Sequence, residues 1–304
     1  MVRKALILVM GIWLCLPAIL AGDPPPPNDI PWAHFAKVWP DLAPCISDIE
    51  SGDIPSAKAC LGDLIHQDKS SDGAYNLRAQ LHRNEKEFDQ AKEDIEQAIS
   101  LKPDHDLHHY QKGLIAKYQI QNTGNPMKKW KLSNAAYEAH EKALALDPTQ
   151  FAYRQYIVMH KLQAPAIAGG DKEGALKLAN EGIEMEIDAC LPLRAYCFLS
   201  MEKDGDAFAD LDASIEKDLF SYVTFKAGGD RAAELKKDDL ARKYYGYIAE
   251  KIPDRPFAQY ILAEYLWKQK DREGAEKAFA KVVELQPDYM DAAKKLAEIR
   301  RNTP

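Results

Sequence analysis

From about Val38 onward, apolar side chains recur at three- and four-residue spacing, without the strict alternation of a half-buried strand. Gly-Asp and Asp-Pro steps punctuate these runs, which reads as helices joined by short turns. The pattern predicts an all-α chain. It also has a longer period. Ala57, Ala91, Ala136, Ala175, Ala207, Ala241 and Ala275 fall in one column, at intervals of 34, 45, 39, 32, 34 and 34 residues. The two long intervals read as one 34-residue unit carrying insertions of 11 and five residues.

Two copies of the unit are clearest. One runs from Asp72 to His105 and closes on Ala98-Ile-Ser-Leu-Lys-Pro103; the other runs from Pro256 to Gln286, with Pro287 after it. In the second, Leu262-Ala263, Leu266, Ala275, Phe279 and Pro287 occupy the signature columns of the tetratricopeptide repeat, and the chain resembles that family over roughly residues 38–287. The resemblance implies a right-handed superhelical solenoid of about seven helix pairs. The repeats fall near 38–71, 72–105, 106–150, 151–187, 188–221, 222–255 and 256–289. Each unit is then two antiparallel helices that need a small residue where they cross. That column in the first helix holds Cys45, Ala79, Gly113, Val158, Ala195, Gly229 and Ala263. Pro103, Pro148, Pro253 and Pro287 end the second helix, because proline cannot continue it. Lys69, Ile187 and Leu219 replace that proline, His140 stands in a usually apolar column, and Val158 is large for a crossing point. Residues 288–301 are expected to form a capping helix with Met290, Ala293, Leu296 and Ala297 on its packed face.

In this family the concave wall, lined by the first helix of each pair, binds an extended segment of another protein. Carried over by position, the wall comprises Asn76, Gln80, Arg83, Asn84, Tyr110, Lys117, Tyr118, Gln155, Met159, Tyr196, Lys226, Tyr260, Glu264, Trp267 and Lys268. It is more basic than the molecule, whose net charge is -7. The acidic balance argues against nucleic acid as a partner.

Arg3 and Lys4 precede an apolar run from Ala5 to Ala21, which ends in Ala21-Gly22. A basic start, a short apolar centre and a small-residue exit describe a secretory signal over residues 1–22. An uncleaved anchor is the alternative, and the only membrane attachment expected. Either places the protein outside the cytoplasm, periplasmic or secreted. Removal of Arg3 and Lys4 changes the net charge from -7 to -9. Residues 23–37 come next as a proline-rich tether and an aromatic segment; Trp32, Phe35 and, just beyond it, Trp39 before Pro40 either cap the first repeat or dock elsewhere, packing being the commoner role.

Catalytic motifs are missing: there is no phosphate loop, HExxH, GxSxG or dinucleotide fingerprint. No enzyme activity and no cofactor are expected. Gly169-Gly170 reads as a structural turn, with Asp171 capping the next helix. The run Asp104-His105-Asp106-Leu107-His108-His109 has ligand-like residues for zinc or copper, yet it lies in the polar turn between repeats, where such residues serve as caps. Cys190 and Cys197 are seven residues apart on one helix, too far to pair. Cys45 and Cys60 face each other across the first repeat, either as a disulfide or as small buried residues. Lys128-Lys129-Trp130-Lys131, in the 11-residue insertion, combines basic and aromatic residues that can engage anionic surfaces, but the patch is short and the protein acidic, so a solvated loop with Trp130 tucked into the array is expected. The reading is an exported repeat scaffold that binds a protein client. The alternatives are a solute or metal carrier, or an accessory subunit of an envelope enzyme or transporter.

Overall fold

A computed structural model describes residues 32–166 and 169–301. The signal segment and the proline tether lie outside the described residues, as does the side chain of Trp32. Sixteen α-helices and one short 3-10 turn make up the described chain, and no strand occurs among the described residues. The helices are α1 (Trp32–Val38), α2 (Ala43–Glu50), α3 (Ile54–Gln67), α4 (Asp72–Asn84), α5 (Phe88–Leu101), α6 (Asp106–Gln121), α7 (Pro126–Leu146) and α8 (Phe151–Gln163). They continue with α9 (Lys172–Glu184), α10 (Cys190–Ser200), α11 (Asp204–Glu216), α12 (Tyr222–Glu234), α13 (Asp238–Lys251), α14 (Pro256–Lys268), α15 (Arg272–Leu285) and α16 (Ala292–Arg301).

The chain divides into two compact units, with the boundary between Gly169 and Gly170. It falls within the repeat expected at 151–187, so α8 belongs to the first unit and α9 to the second. Hairpins α2/α3, α4/α5 and α6/α7 form the first unit, with α1 before and α8 after them; α10/α11, α12/α13 and α14/α15 form the second, with α9 before and α16 after.

Both small-residue columns are buried along their whole length. Ala57, Ala91, Ala136, Ala175, Ala207, Ala241 and Ala275 have no exposed surface, and neither do Cys45, Ala79, Val158, Ala195 and Ala263. Gly113 and Gly229 complete the second column, also buried. Here the helices touch, and a larger side chain would force them apart. The Cβ of an alanine at 113 would sit 2.1 Å from the His140 ring, and one at 229 would sit 2.7 Å from the Tyr245 ring.

Turns within the hairpins repeat one design. Gly52, Lys86, Glu202, Lys236 and Lys270 all have positive φ, and the next residue donates its N–H to a carbonyl five residues back. For example, Lys237 N donates to Ala232 O at 2.8 Å. This is the Schellman closure of a helix end; glycine fits it best and occupies it at 52, while lysine or glutamate makes it at the other four. The second helices stop in two ways. Before Pro103, Pro148, Pro253 and Pro287, residues Lys102, Asp147, Ile252 and Gln286 swing to extended φ near -130° to -153°. Where Ile187 and Leu219 replace proline, Glu186 and Asp218 take positive φ instead, and the freed N–H of Ile187 bonds Gly182 O at 2.9 Å. Helix starts are capped by Asp53, Asn125, Asp171 and Asp271 side chains that accept from the N–H three residues on.

Three expectations need correction. The Lys128–Lys131 segment is helix, not loop. Asn125 caps it, Pro126 opens it, and the insertion lengthens α6 and α7 to 16 and 21 residues. Trp130 is not tucked in but 44% exposed. At the other end, the capping helix begins at Ala292, because a turn through Tyr289 and Met290 (φ 49°) delays it. That delay rotates its packed face to Ala292, Leu296 and Ile299, leaving Met290 70% exposed and Ala293 and Ala297 exposed.

Phe35 and Trp39 are buried against the first unit. Cys45 and Cys60 form a disulfide between α2 and α3, with Cα atoms 5.5 Å apart. It closes a 15-residue interval, a loop whose cross-linking contributes about 3 kcal/mol. No helix among the described residues is long and apolar enough to cross a membrane.

Candidate functional site

On α4, Asn76, Gln80 and Arg83 stand at i, i+4 and i+7, one face of a helix. All three are fully buried. Arg83 Nη1 donates to Gln111 Oε1 on α6 at 3.0 Å, and its Nε and Nη2 donate to Asn84 Oδ1 at 3.2 and 3.1 Å. The guanidinium lies 4.8 Å above the Tyr118 ring, a cation–π contact. Lys117 on the same helix is half-buried, and burial together with the nearby Arg83 charge lowers its pKa to about 8. Tyr110 is buried 4.8 Å from the Tyr153 ring and 5.4 Å from His140. Gln155 and Met159 on α8 are half-buried. Thus α4 and α6 bring together the expected wall residues Arg83, Asn84, Tyr118 and Lys117, with Gln111 added. Gln111 adjoins the wall position Tyr110, so only its side-chain direction was missed.

A second polar cluster joins Trp39 to α4 and α6. Trp39 Nε1 donates to Asp72 Oδ2 at 3.2 Å; His108 Nε2 donates to the same oxygen at 2.9 Å; Asn76 Nδ2 donates to His108 Nδ1 at 2.6 Å. The Trp39 ring stacks on His105 at 4.9 Å and on His108 at 5.8 Å. Gly73 makes room for it, since a Cβ there would meet the indole at 2.4 Å. Burial lowers the His108 pKa to about 4, with the neighbouring His105 adding to the effect. His109 Nε2 donates to Pro103 O at 2.7 Å. The ligand-like run is therefore used in packing. Among the described residues no three His, Cys, Asp or Glu side chains are placed to hold a metal ion.

In the second unit the expected wall residues are tied more tightly to their own scaffold. Lys226 pairs with Asp230 at 2.7 Å, Glu264 pairs with Lys295, and Tyr260 OH donates to Asp291 Oδ1 at 2.5 Å. Trp267 is half-buried, and Lys268 is exposed with no ion pair among the described residues. Tyr196 borders a shallow depression of about 280 Å³ between α10 and α12, lined also by Leu199, Ser200, Asp230, Arg231 and Glu234. Cys190 and Cys197 are buried thiols outside any disulfide, and burial pushes the Cys197 thiol up to about 12, the reverse of what a nucleophile needs.

The tetratricopeptide repeat model matches residues 72–105 and 258–289, one copy in each unit. Three solved structures share the fold. A tetratricopeptide repeat protein from Parabacteroides merdae has 11% identity and a TM-score of 0.54, covering 89% of this chain and 99% of its own. The C-terminal part of a TPR repeat-containing protein from Cytophaga hutchinsonii has 17% identity and a TM-score of 0.53, covering 84% and 99%. Pseudomonas aeruginosa pilF has 15% identity and a TM-score of 0.50, covering 88% and 99%. No curated protein matches the chain. The fold is that of tetratricopeptide-repeat helix pairs, an architecture associated with protein–protein interaction.

Proposed function

We propose that the protein is an exported, non-catalytic scaffold that holds an extended segment of a protein client along α4 and α6. One observation carries this reading: in a chain of net charge -7, the buried Arg83 braces Asn84 and Tyr118, and these two with Lys117 form an accessible polar and cationic stretch on two adjacent wall helices. The Asn84 amide can pair with a peptide backbone, and the Lys117 ammonium favours a client bearing carboxylates. Tyr118 adds contact area at low entropic cost. The basic, apolar and small-residue order of residues 1–22 supports export to the periplasm or the exterior.

The test is affinity purification of the full chain from fractionated native cells, beside Lys117→Ala and Tyr118→Ala variants. Both positions are half-buried, so melting temperatures should stay close to wild type. A partner lost from both variants, recovered with a chain starting near Asp23 outside the cytoplasm, is the expected result. Identical partners for all three proteins would refute the groove, and a cytoplasmic chain with an intact N-terminus would refute export.

A further inference from the structure

The insertion that lengthens α6 and α7 places Met127-Lys128-Lys129-Trp130-Lys131 on the exposed start of α7, about one and a half turns of helix. Met127 is 54% and Trp130 44% exposed; Lys128 and Lys131 are exposed and Lys129 is half-buried. None of the three lysines forms an ion pair among the described residues. Elsewhere lysines are commonly matched: Lys58 with Glu85 and Glu87, Lys112 with Glu96, Lys217 with Asp188, Lys251 with Asp218. The first turn of α7 also carries no acidic residue. An acidic protein thus concentrates three unmatched positive charges around two large exposed apolar side chains.

We propose that this patch is a contact for anionic phospholipid headgroups at a membrane surface, a role separate from the client wall. The chemistry fits in three respects. Indole and thioether settle at the boundary between headgroups and acyl chains, lysine stems lie along apolar surface with their ammonium groups outward, and the ammonium groups pair with lipid phosphates. Apolar and cationic side chains alternate on one exposed helical segment, the composition that settles into a membrane interface. The rest of the acidic molecule is repelled by an anionic membrane, so attachment through this patch also sets orientation.

The experiment is co-sedimentation of the full chain with phosphatidylcholine vesicles, with and without phosphatidylglycerol. Any contribution of residues 1–22 is common to wild type and variants. Each lysine near an anionic surface contributes roughly fivefold in partitioning, so Lys128→Gln/Lys129→Gln/Lys131→Gln should weaken binding to phosphatidylglycerol vesicles about a hundredfold. Lys128→Glu/Lys129→Glu/Lys131→Glu should weaken it further, because each added carboxylate is repelled by the lipid phosphates. Trp130→Ala should weaken binding in a way that added salt does not mimic. Equal binding by wild type and both triple variants would overturn the proposal. So would equal affinity for vesicles lacking phosphatidylglycerol, or full displacement by poly-glutamate, which would assign the patch to an acidic protein, or by inorganic phosphate, which would leave only an anion site.

Discussion

The two units are built from the same hairpin and filled differently. In the second, the core from Ala195 to Ile299 is apolar and aromatic, with Phe225, Phe257, Phe279, Tyr244, Tyr245, Tyr247, Tyr260 and Tyr265 in one cluster. Its tyrosine hydroxyls reach aspartates at the margin: Tyr244 to Asp212 at 3.0 Å, Tyr245 to Asp230 at 2.7 Å, Tyr265 to Asp238 at 3.0 Å. In the first, Asn76, Gln80, Arg83, His108, Gln111, His140 and Arg154 are buried among the helices. A buried polar group is costly unless bonded, so such a core is intolerant of any change in protonation or geometry. The same fold therefore yields one unit with an apolar, aromatic core and another whose apolar core also encloses charged and amide side chains. All eight histidines lie at or before His160, so acid separates the two cleanly.

The largest expected effect uses that separation. Burial lowers the pKa of His140 to about 3 and that of His108 to about 4, against 6.5 in an unfolded chain. The folded rings stay neutral while the unfolded chain takes up protons, so stability falls as pH drops from 6.5 towards 4. The loss is on the order of 3 kcal/mol for each ring by pH 4. The second unit has no histidine. Its stabilised carboxylates, Asp204, Asp218, Asp271 and Asp291, lose their contribution only as pH falls below the ordinary aspartate value of 3.8. Hydrogen exchange resolved by peptide, at neutral pH and at about pH 4.5, should show opening confined to residues 32–166. Parallel loosening of both units would break the contrast.

A middle-sized effect comes from one column in both units. Gly113→Ala drives a methyl into His140, which is stacked on Tyr156 at 3.8 Å and donates from Nδ1 to Ala136 O at 2.6 Å. Gly229→Ala meets the edge of Tyr245 less closely, at 2.7 Å against 2.1 Å; that ring packs 5.1 Å from Tyr265 and donates its hydroxyl to Asp230. Overpacking costs about 1–3 kcal/mol; Gly113→Ala should approach the upper figure and Gly229→Ala the lower. Denaturant titrations of the two variants decide it, and equal losses would mean that His140 yields as easily as Tyr245.

The smallest effect should be a gain. Glu202→Gly, Lys236→Gly and Lys270→Gly each relieve a positive-φ side chain, worth up to about 1 kcal/mol apiece in the second unit. In the first unit only Lys86→Gly does the same within a hairpin turn, because Gly52 already occupies the matching place. Calorimetry should show the triple variant raising the stability of the second unit more than Lys86→Gly raises that of the first. No gain would show that these side chains hold contacts worth as much as the strain.

Much of this was readable from residues alone, because crossing points and helix stops are local demands. The alanine column needs a small residue, and each second-helix proline needs an extended neighbour, whatever lies beyond the repeat. The misreadings came where local signals compete. Lys128 to Lys131 looks like loop by polarity, but Asn125 and Pro126 form a helix start strong enough to carry it. Met290 fits the helical period, yet the positive-φ turn it occupies shifts the phase of α16. The burial of Arg83 and Arg154 depends on neighbours from other helices, which no single repeat records.

Helices in residues 170–301 lean on the hairpin before and the hairpin after: Tyr222 against Phe257, Tyr265 against Asp238, Arg272 against Ile299. Length is therefore a divisible property of this unit. A stretch of about 34 residues can be added or removed as a whole storey, and the only new requirement is a water-tolerant roof of the kind α16 provides.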